Sequence, residues 1–148
     1  MASLDAVISN ISRLDDAVED ALNNEVAEAV KDAIVIVARE KVYDSYTPEF
    51  LSRRNGSGGI LDKNSMKHEV HGTELIVRDE PQWQQLWGGH EPSDKLVEAL
   101  AAGDARFHFA KAGPRPFHEE TKRRIIADGT LEDALRRGLE RQGIIQAD

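Results

Sequence analysis

The stretch "VAEAVKDAIVIVAREKV", Val26–Val42, decides how the rest of the chain must fold. Its apolar residues recur mostly at intervals of three and four, which is the spacing of one face of an α-helix. Its centre, "AIVIVA", is apolar nearly all round, and a helix of that kind is buried over most of its surface. We therefore predict that this helix is the buried one. Pro48 should end it, because proline disfavours helix in the residue before it.

A second helix is predicted on the N-terminal side of this stretch. Ser3 is a suitable N-cap, and Asn23 with Asn24 indicates a break or a new cap between the two helices. The apolar residues between these points are again spaced by three and four, which predicts one buried stripe. They are Leu4, Val7, Ile8, Ile11, Leu14, Val18 and Leu22.

The periodicity changes after Ser65. The segments Met66–His71 and Glu74–Asp79 alternate in polarity and meet at "GT", which predicts a β-hairpin. The stretch "ARFHFAK", with two phenylalanines on one face, predicts a third strand. A short helix opening at Pro92 and closing near Gly103 should lie between the hairpin and that strand.

Two helices should complete the chain. The first runs from about Pro116 to Ala127, and the second opens at Thr130, where Asp133 completes a variant of the capping box. Helices, a small antiparallel sheet and further helices in this order predict an α+β fold, in a single domain covering residues 1–148. The last helix should bury Leu131, Leu135 and Leu139 and stop at Gly143.

The charge of the chain is negative and unevenly distributed. Of the net −8, residues 1–50 contribute 11 acidic and 4 basic side chains. Phosphate binding needs a cationic surface, so this balance argues against a general nucleic-acid-coating role. The absence of cysteine excludes disulfides and thiol catalysis. The sequence contains no run of about 18 apolar residues, so we predict no membrane-spanning helix.

The motifs that carry chemistry do not point to an enzyme. The glycines at 56–59 lack the Lys-Ser/Thr and the strand–helix context of a phosphate loop. The stretch "HEVH" is one residue shorter than the zinc-protease motif, and on a strand its two histidines face opposite ways. We therefore predict no catalytic residue, metal site or cofactor. The alternative from another class is a small metal-dependent hydrolase or nuclease using His68, His71 or His90.

Several aromatic residues lie in or beside loops instead of within the helical stripes. Aromatic and arginine side chains are enriched at protein–protein interfaces, so these positions are candidates for contact with another chain. For Phe117 we favour a place at the edge of the core. For Trp83 and Trp87, a place in an interface with another chain and a place over the edge of the core remain equal alternatives.

Three segments together resemble the neck, or head–tail connector, proteins of tailed bacteriophages, a family also described as minor tail or tail-completion proteins. They are "VYDSYTPEFLSRRNGSGGILD" (Val42–Asp62), "RPFHEET" (Arg115–Thr121) and "LRRGLERQGI" (Leu135–Ile144). The first matches a Tyr-x-Pro, an arginine pair and a Gly-Gly-Leu/Ile-x-Asp pattern. The second matches the Arg-Pro-Phe that opens the late helix of that family, and the third matches the family's closing helix and its glycine stop.

The resemblance implies a structural virion protein and no enzymatic activity. Such proteins are made in the host cytoplasm and form a homo-oligomeric ring in the phage neck, through which DNA passes without sequence-specific binding and without membrane contact. The partners would be other neck proteins, of the adaptor or stopper type, and the tail terminator or tail tube. A tail terminator ring is the nearest alternative, and a cytosolic helical adaptor unrelated to phages is another.

We expect a flexible arm at about residues 46–65 to bridge neighbouring subunits, because glycines allow it to bend and aromatic residues can anchor it. A weaker hypothesis is that acidic helix faces, with Asp15, Glu19 and Asp20, line the channel and repel DNA. The alternative is that they face solvent. The predicted interface residues are Tyr46, Pro48, Phe50, Arg53, Arg54, Gly58, Gly59, Trp83, Trp87, Arg115 and Phe117.

Overall fold

The structure is a computed structural model that describes residues 3–44, 59–81, 97–98, 101–102 and 116–146, without the side chain at position 43. The predicted third strand and both tryptophans lie outside these residues. Residues 97–98 and 101–102 are helical, within the short helix predicted there. The described chain is mostly helical with one two-stranded antiparallel sheet, which confirms the α+β class.

One helical segment runs without interruption from Leu4 to Tyr43. It consists of α1 (Leu4–Ala21), a π-helical turn (Leu22–Val26), α2 (Ala27–Ala38) and a second π-helical turn (Arg39–Tyr43). At 1.5 Å per residue it is about 60 Å long. Ser3 caps its start as predicted, because its hydroxyl accepts a hydrogen bond from the Ala6 backbone amide at 3.2 Å.

The predicted break at Asn23 and Asn24 is wrong, because the helix continues there through the first π-helical turn. A π-helical turn accommodates one extra residue without ending the helix. From that turn, the side-chain amide of Asn24 donates to the backbone carbonyl of Asp20 in the last turn of α1 at 2.8 Å. The asparagine pair therefore supports a bulge in one helix instead of capping a new one.

The hairpin is confirmed at the predicted bounds. Strands β1 (Met66–His71) and β2 (Glu74–Asp79) pair antiparallel, with Met66 opposite Asp79 and His71 opposite Glu74. Gly72 has φ 62° at the first position of the two-residue loop, where a glycine is favoured in a type II′ turn. The alternation in sequence therefore fixes both the strands and their register.

Two C-terminal helices follow, α3 (Phe117–Ala127) and α4 (Thr130–Arg141). The predicted capping box is wrong, because Thr130 is already helical and the Asp128 carboxylate accepts from its backbone amide at 3.0 Å. The Thr130 hydroxyl donates to the same carboxylate, and the two hydrogen bonds from Thr130 lower the pKa of Asp128. The predicted stop at Gly143 is confirmed: this residue has φ 69°, and its amide donates to a carbonyl of the last turn at 2.9 Å.

The central position predicted for α2 is confirmed. The main core cluster contains Ile34, Val37 and Ala38, which are at most 4% exposed. Ile36 is an exception within the same apolar run, because it is 56% exposed. The other elements contribute the remaining buried members of the cluster, which are Val42, Ile60, Met66 and Phe117.

The prediction of a flexible arm at about 46–65 needs correction at its C-terminal end. Residues 59–65 pack against the body, and Ile60 is only 4% exposed in the core. The ammonium of Lys63 lies 2.7 Å from a carboxylate oxygen of Asp32 and 2.7 Å from one of Glu28, both on α2. Hydrogen bonds to Asp32 and Glu28 raise the pKa of Lys63. Residues 46–58 of the predicted arm lie outside the described residues.

Candidate subunit interface

The first three turns of α1 present an apolar stripe that the described part of the chain leaves exposed. The exposed fractions are 74% for Leu4, 42% for Val7, 56% for Ile8, 56% for Ile11 and 44% for Leu14. We call these five residues the free stripe. The prediction that the whole stripe is buried is therefore wrong for its N-terminal part. Among the described residues, no helix is long and apolar enough to cross a membrane.

The free stripe lies on the part of α1 that extends beyond the C-terminal end of α4. The two helices run antiparallel: Gly138 meets Ala21, and the Gln142 side chain donates to the Ala17 backbone carbonyl at 2.8 Å. The alanines at these α1 positions are at most 4% exposed. Because α4 ends at Arg141, the preceding turns of α1 extend past the end of α4.

Close packing fixes the direction in which α1 extends from the body. A Cβ atom added to Gly138 would lie 2.4 Å from the Ala21 Cβ, so only glycine fits at this contact. Next to it, Arg141 pairs with Asp20 and donates to Glu25 at 2.5 Å. The hydrogen bond from Arg141 lowers the pKa of Glu25. The free stripe is therefore held on a helix whose base is anchored.

An apolar groove of about 620 Å³ lies beside the middle of the long helical segment. The long helix forms one wall, and β2, α3 and α4 form the others. Leu131 and Leu135 were predicted to be buried with Leu139, but all three are only half-buried, and the first two line this groove. Small residues, Ala134 and Gly138, form the buried face of α4 instead. Other apolar lining residues are Val26, Val30, Leu75 and Ile125.

A histidine of the hairpin contacts the first π-helical turn, which lies beside this groove. His68 Nε2 lies 2.9 Å from the Asn23 side-chain oxygen and 3.1 Å from its backbone carbonyl. Both acceptors require the proton on Nε2, so the contact selects that tautomer. His71 lies on the other side of the strand and contacts Glu69 at 3.4 Å. Within the described residues, no three His, Cys, Asp or Glu side chains form a group suited to a metal ion.

A buried carboxylate, Asp79, lies beside the partly exposed side chain of His118. The side chain of Asp79 is fully buried, and its nearer carboxylate oxygen lies 3.8 Å from His118 Nε2. Neither oxygen has a hydrogen-bond partner among the residues that the structure describes. Burial raises the pKa of Asp79, and His118 only partly opposes that shift. The pair joins the end of β2 to the first turn of α3, so no spacing in the sequence reveals it.

Two of the predicted interface residues fall within the described chain. Gly59 is buried against the body, and Phe117 is 0% exposed in the core, so its ring presents no surface to a neighbouring chain. A place in the core is the role that the sequence favours for Phe117. The others lie outside the described residues, and for them the interface remains a prediction: Tyr46, Pro48, Phe50, Arg53, Arg54, Gly58, Trp83, Trp87 and Arg115.

Comparison with known proteins identifies a family. A family model described as YomN matches residues 4–141, so the chain belongs to the YomN family. That name is the name of a phage-derived gene product of the SPbeta type, which gives the chain a bacteriophage context. No curated protein and no solved structure matches the chain significantly.

Proposed function

We propose that this member of the YomN family is a structural virion protein of the phage neck, without enzymatic activity. It would form part of the ring between the capsid portal and the tail, with DNA passing through the centre. Family membership supports the phage context. The single structural observation that carries the assembly role is the free stripe, five large aliphatic side chains left in water on an anchored helix.

The physical reason is the cost of exposed apolar surface. Scattered single apolar residues are common on protein surfaces, but a contiguous row along one helix face is typical of a binding surface. A helix with a rigid base also sets the angle at which a neighbour docks. When one subunit uses different surfaces to contact its two neighbours, the contacts close into a ring if the rotation permits.

The proposed partners are further copies of the chain, other neck proteins of the adaptor or stopper type, and the tail terminator or tail tube. The loop residues predicted from the sequence, such as Tyr46, Trp83 and Trp87, would extend these contacts. Residues 59–65 are better regarded as the attachment point of the bridging segment than as part of it, because Lys63 is paired with two carboxylates of α2.

The acidic face of α1 supplies a second element of the proposal. Asp15, Asp16 and Glu19 are exposed and would repel DNA if they faced the channel. Asp20 is a poorer candidate because it pairs with Arg141. Replacing the three exposed acids by their amides should slow DNA ejection if they line the channel. Unchanged ejection would place this face on the outside of the ring.

Locating the protein in particles tests the proposal. A phage lacking this gene should accumulate DNA-filled capsids and separate, finished tails, and a tagged copy should appear by electron microscopy between the portal and the tail. A tag found on free tails from a capsid-defective phage would instead indicate a tail terminator. Complete virions that lack the protein would contradict a neck role altogether.

A further inference from the structure

We infer that the free stripe of one copy inserts into the apolar groove of a second copy of this chain. The contact is heterologous: each subunit offers a helix to one neighbour and a groove to the other. In the proposed function this contact would link adjacent subunits of the neck ring. Only that closure into a ring rests on the proposed function, since the contact itself requires nothing but the two surfaces.

The spacing of the free stripe suits a groove. Leu4, Ile8 and Ile11, with Val7 and Leu14 beside them, follow the i, i+4, i+7 pattern of a helix that anchors in an apolar groove. These anchors extend over about 15 Å of helix. The groove provides about 620 Å³ between the long helix, β2 and the two C-terminal helices, and its lining is mainly aliphatic.

The free stripe cannot occupy the groove of its own chain. Leu22, Val26, Val30 and Ile34 line the groove, and they belong to the same uninterrupted helical segment as the stripe. From Leu4 to Val26 the helix rises about 33 Å along its axis. A continuous helix does not fold back on itself, so a free stripe that enters this groove must belong to another copy of the chain.

Charge favours the groove of another copy, and not another free stripe, as the binding partner of the free stripe. Residues 4–16 carry Asp5, Asp15 and Asp16 against a single base, Arg13. Two such helices packed together would bring acidic side chains close to one another, which is unfavourable. The groove lining carries one base, Lys122, and one acid, Glu132, so it lacks the net negative charge that a second acidic helix would present.

The first experiment changes the helix. Ile8→Asp with Ile11→Asp adds two charges to the stripe, at positions that are 56% exposed and so should not affect folding. Ser9→Asp with Ser12→Asp is the matched control, with the same two charges at the same spacing away from the stripe. Sedimentation velocity over a range of concentration should show self-association of wild type and control. The stripe variant should associate about 100-fold more weakly or not at all.

The second experiment changes the groove and mixes the variants. Leu131→Glu places a charge in the groove at the first turn of α4, where an acid is favourable for the helix. If circular dichroism shows loss of fold, Lys122→Glu replaces it, because Lys122 is exposed. The groove variant and the stripe variant should each be monomeric, whereas their mixture should form a one-to-one dimer through the two intact surfaces.

Three outcomes would overturn the inference. Wild type that remains monomeric at every concentration shows that the two surfaces do not bind each other. A groove variant that associates as well as wild type indicates packing of one free stripe on another. A mixture that stays monomeric excludes a heterologous contact. None of these results bears on whether the protein lies in the phage neck, which its location in particles decides separately.

Discussion

Two parts of the same long helix differ in what covers them. In α2, Ile34 and Val37 are 4% and 2% exposed, whereas in α1 Ile8 and Ile11 are both 56% exposed. The apolar spacing is similar in the two parts. The hairpin, residues 59–65 and α3 close over α2, while α4 ends before it reaches the start of α1. Helical periodicity therefore specifies an apolar face, but not whether the same chain buries it.

The largest expected effect is in the core around α2. Phe117→Ala removes a ring that is 0% exposed and should lower the free energy of unfolding by about 3–5 kcal/mol, measured by urea denaturation. Ile126→Ala on the same helix is the matched control, because Ile126 is 64% exposed and should change stability by less than about 0.5 kcal/mol. Equal effects of the two changes would contradict the assignment of the core.

The next effect is at the anchor of α1. Gly138→Ala forces a Cβ atom against the Ala21 side chain and should cost about 1–3 kcal/mol. Adding Ala21→Gly makes room for the new methyl group, so the double variant should be more stable than the sum of the two single changes predicts. Strict additivity in urea denaturation would mean that the two helices do not meet at this contact.

A smaller, pH-dependent effect is expected from Asp79. Its pKa is raised by burial above the ordinary value of 3.8, so the ionised form is disfavoured in the folded state. Asp79→Asn keeps the shape of the side chain but removes the buried charge, so it should stabilise the protein at neutral pH. Above the raised pKa this advantage is complete. It should shrink as the pH falls through that pKa, because the wild-type carboxyl becomes neutral.

Thermal unfolding of wild type and the Asp79→Asn variant across this pH range measures the difference. Asp128→Asn serves as a control of opposite sign, because hydrogen bonds from Thr130 lower the pKa of Asp128. Its ionised form stabilises the fold above the ordinary pKa, and that contribution is lost as the pH falls through the lowered value. An Asp79→Asn variant that is less stable than wild type at neutral pH would contradict an unsatisfied carboxylate at this position.

The smallest effect should come from the free stripe. In dilute protein, Ile8→Asp with Ile11→Asp should change the free energy of unfolding by less than about 0.5 kcal/mol, because these side chains are exposed in the subunit. At high concentration, wild type should become more stable than the variant, since association stabilises the folded state by mass action. A large loss of stability in dilute protein would mean that the same chain covers the stripe.

The sequence predicted local structure well where neighbours in sequence determine it. Alternation around Gly72 predicted the hairpin and its bounds, and Gly143 predicted the end of α4. The prediction from Asn23 and Asn24 was wrong, because an asparagine side chain can cap a helix or, as Asn24 does, donate to a backbone carbonyl of the preceding helical turn.

Features that depend on distant contacts were not predictable. Asp79 meets His118 only after the hairpin packs against α3, and the exposure of the free stripe depends on where a helix more than 100 residues away ends. One partial signal was available: α1 has 18 residues and α4 has 12, so α4 is too short to cover all of α1. Which turns of α1 stay uncovered depends on the contact of Gly138 with Ala21, which the sequence does not reveal.

Hydrogen exchange at residues 4–14 tests the central claim most directly. The backbone amides of this segment should exchange rapidly in the dilute subunit, where the described part of the chain leaves the apolar side chains of the first turns of α1 exposed. They should be strongly protected in the assembled particle, while amides of α2 should be protected in both. Equal protection of residues 4–14 in the two states would contradict the claim that this end of the helix is completed by another chain.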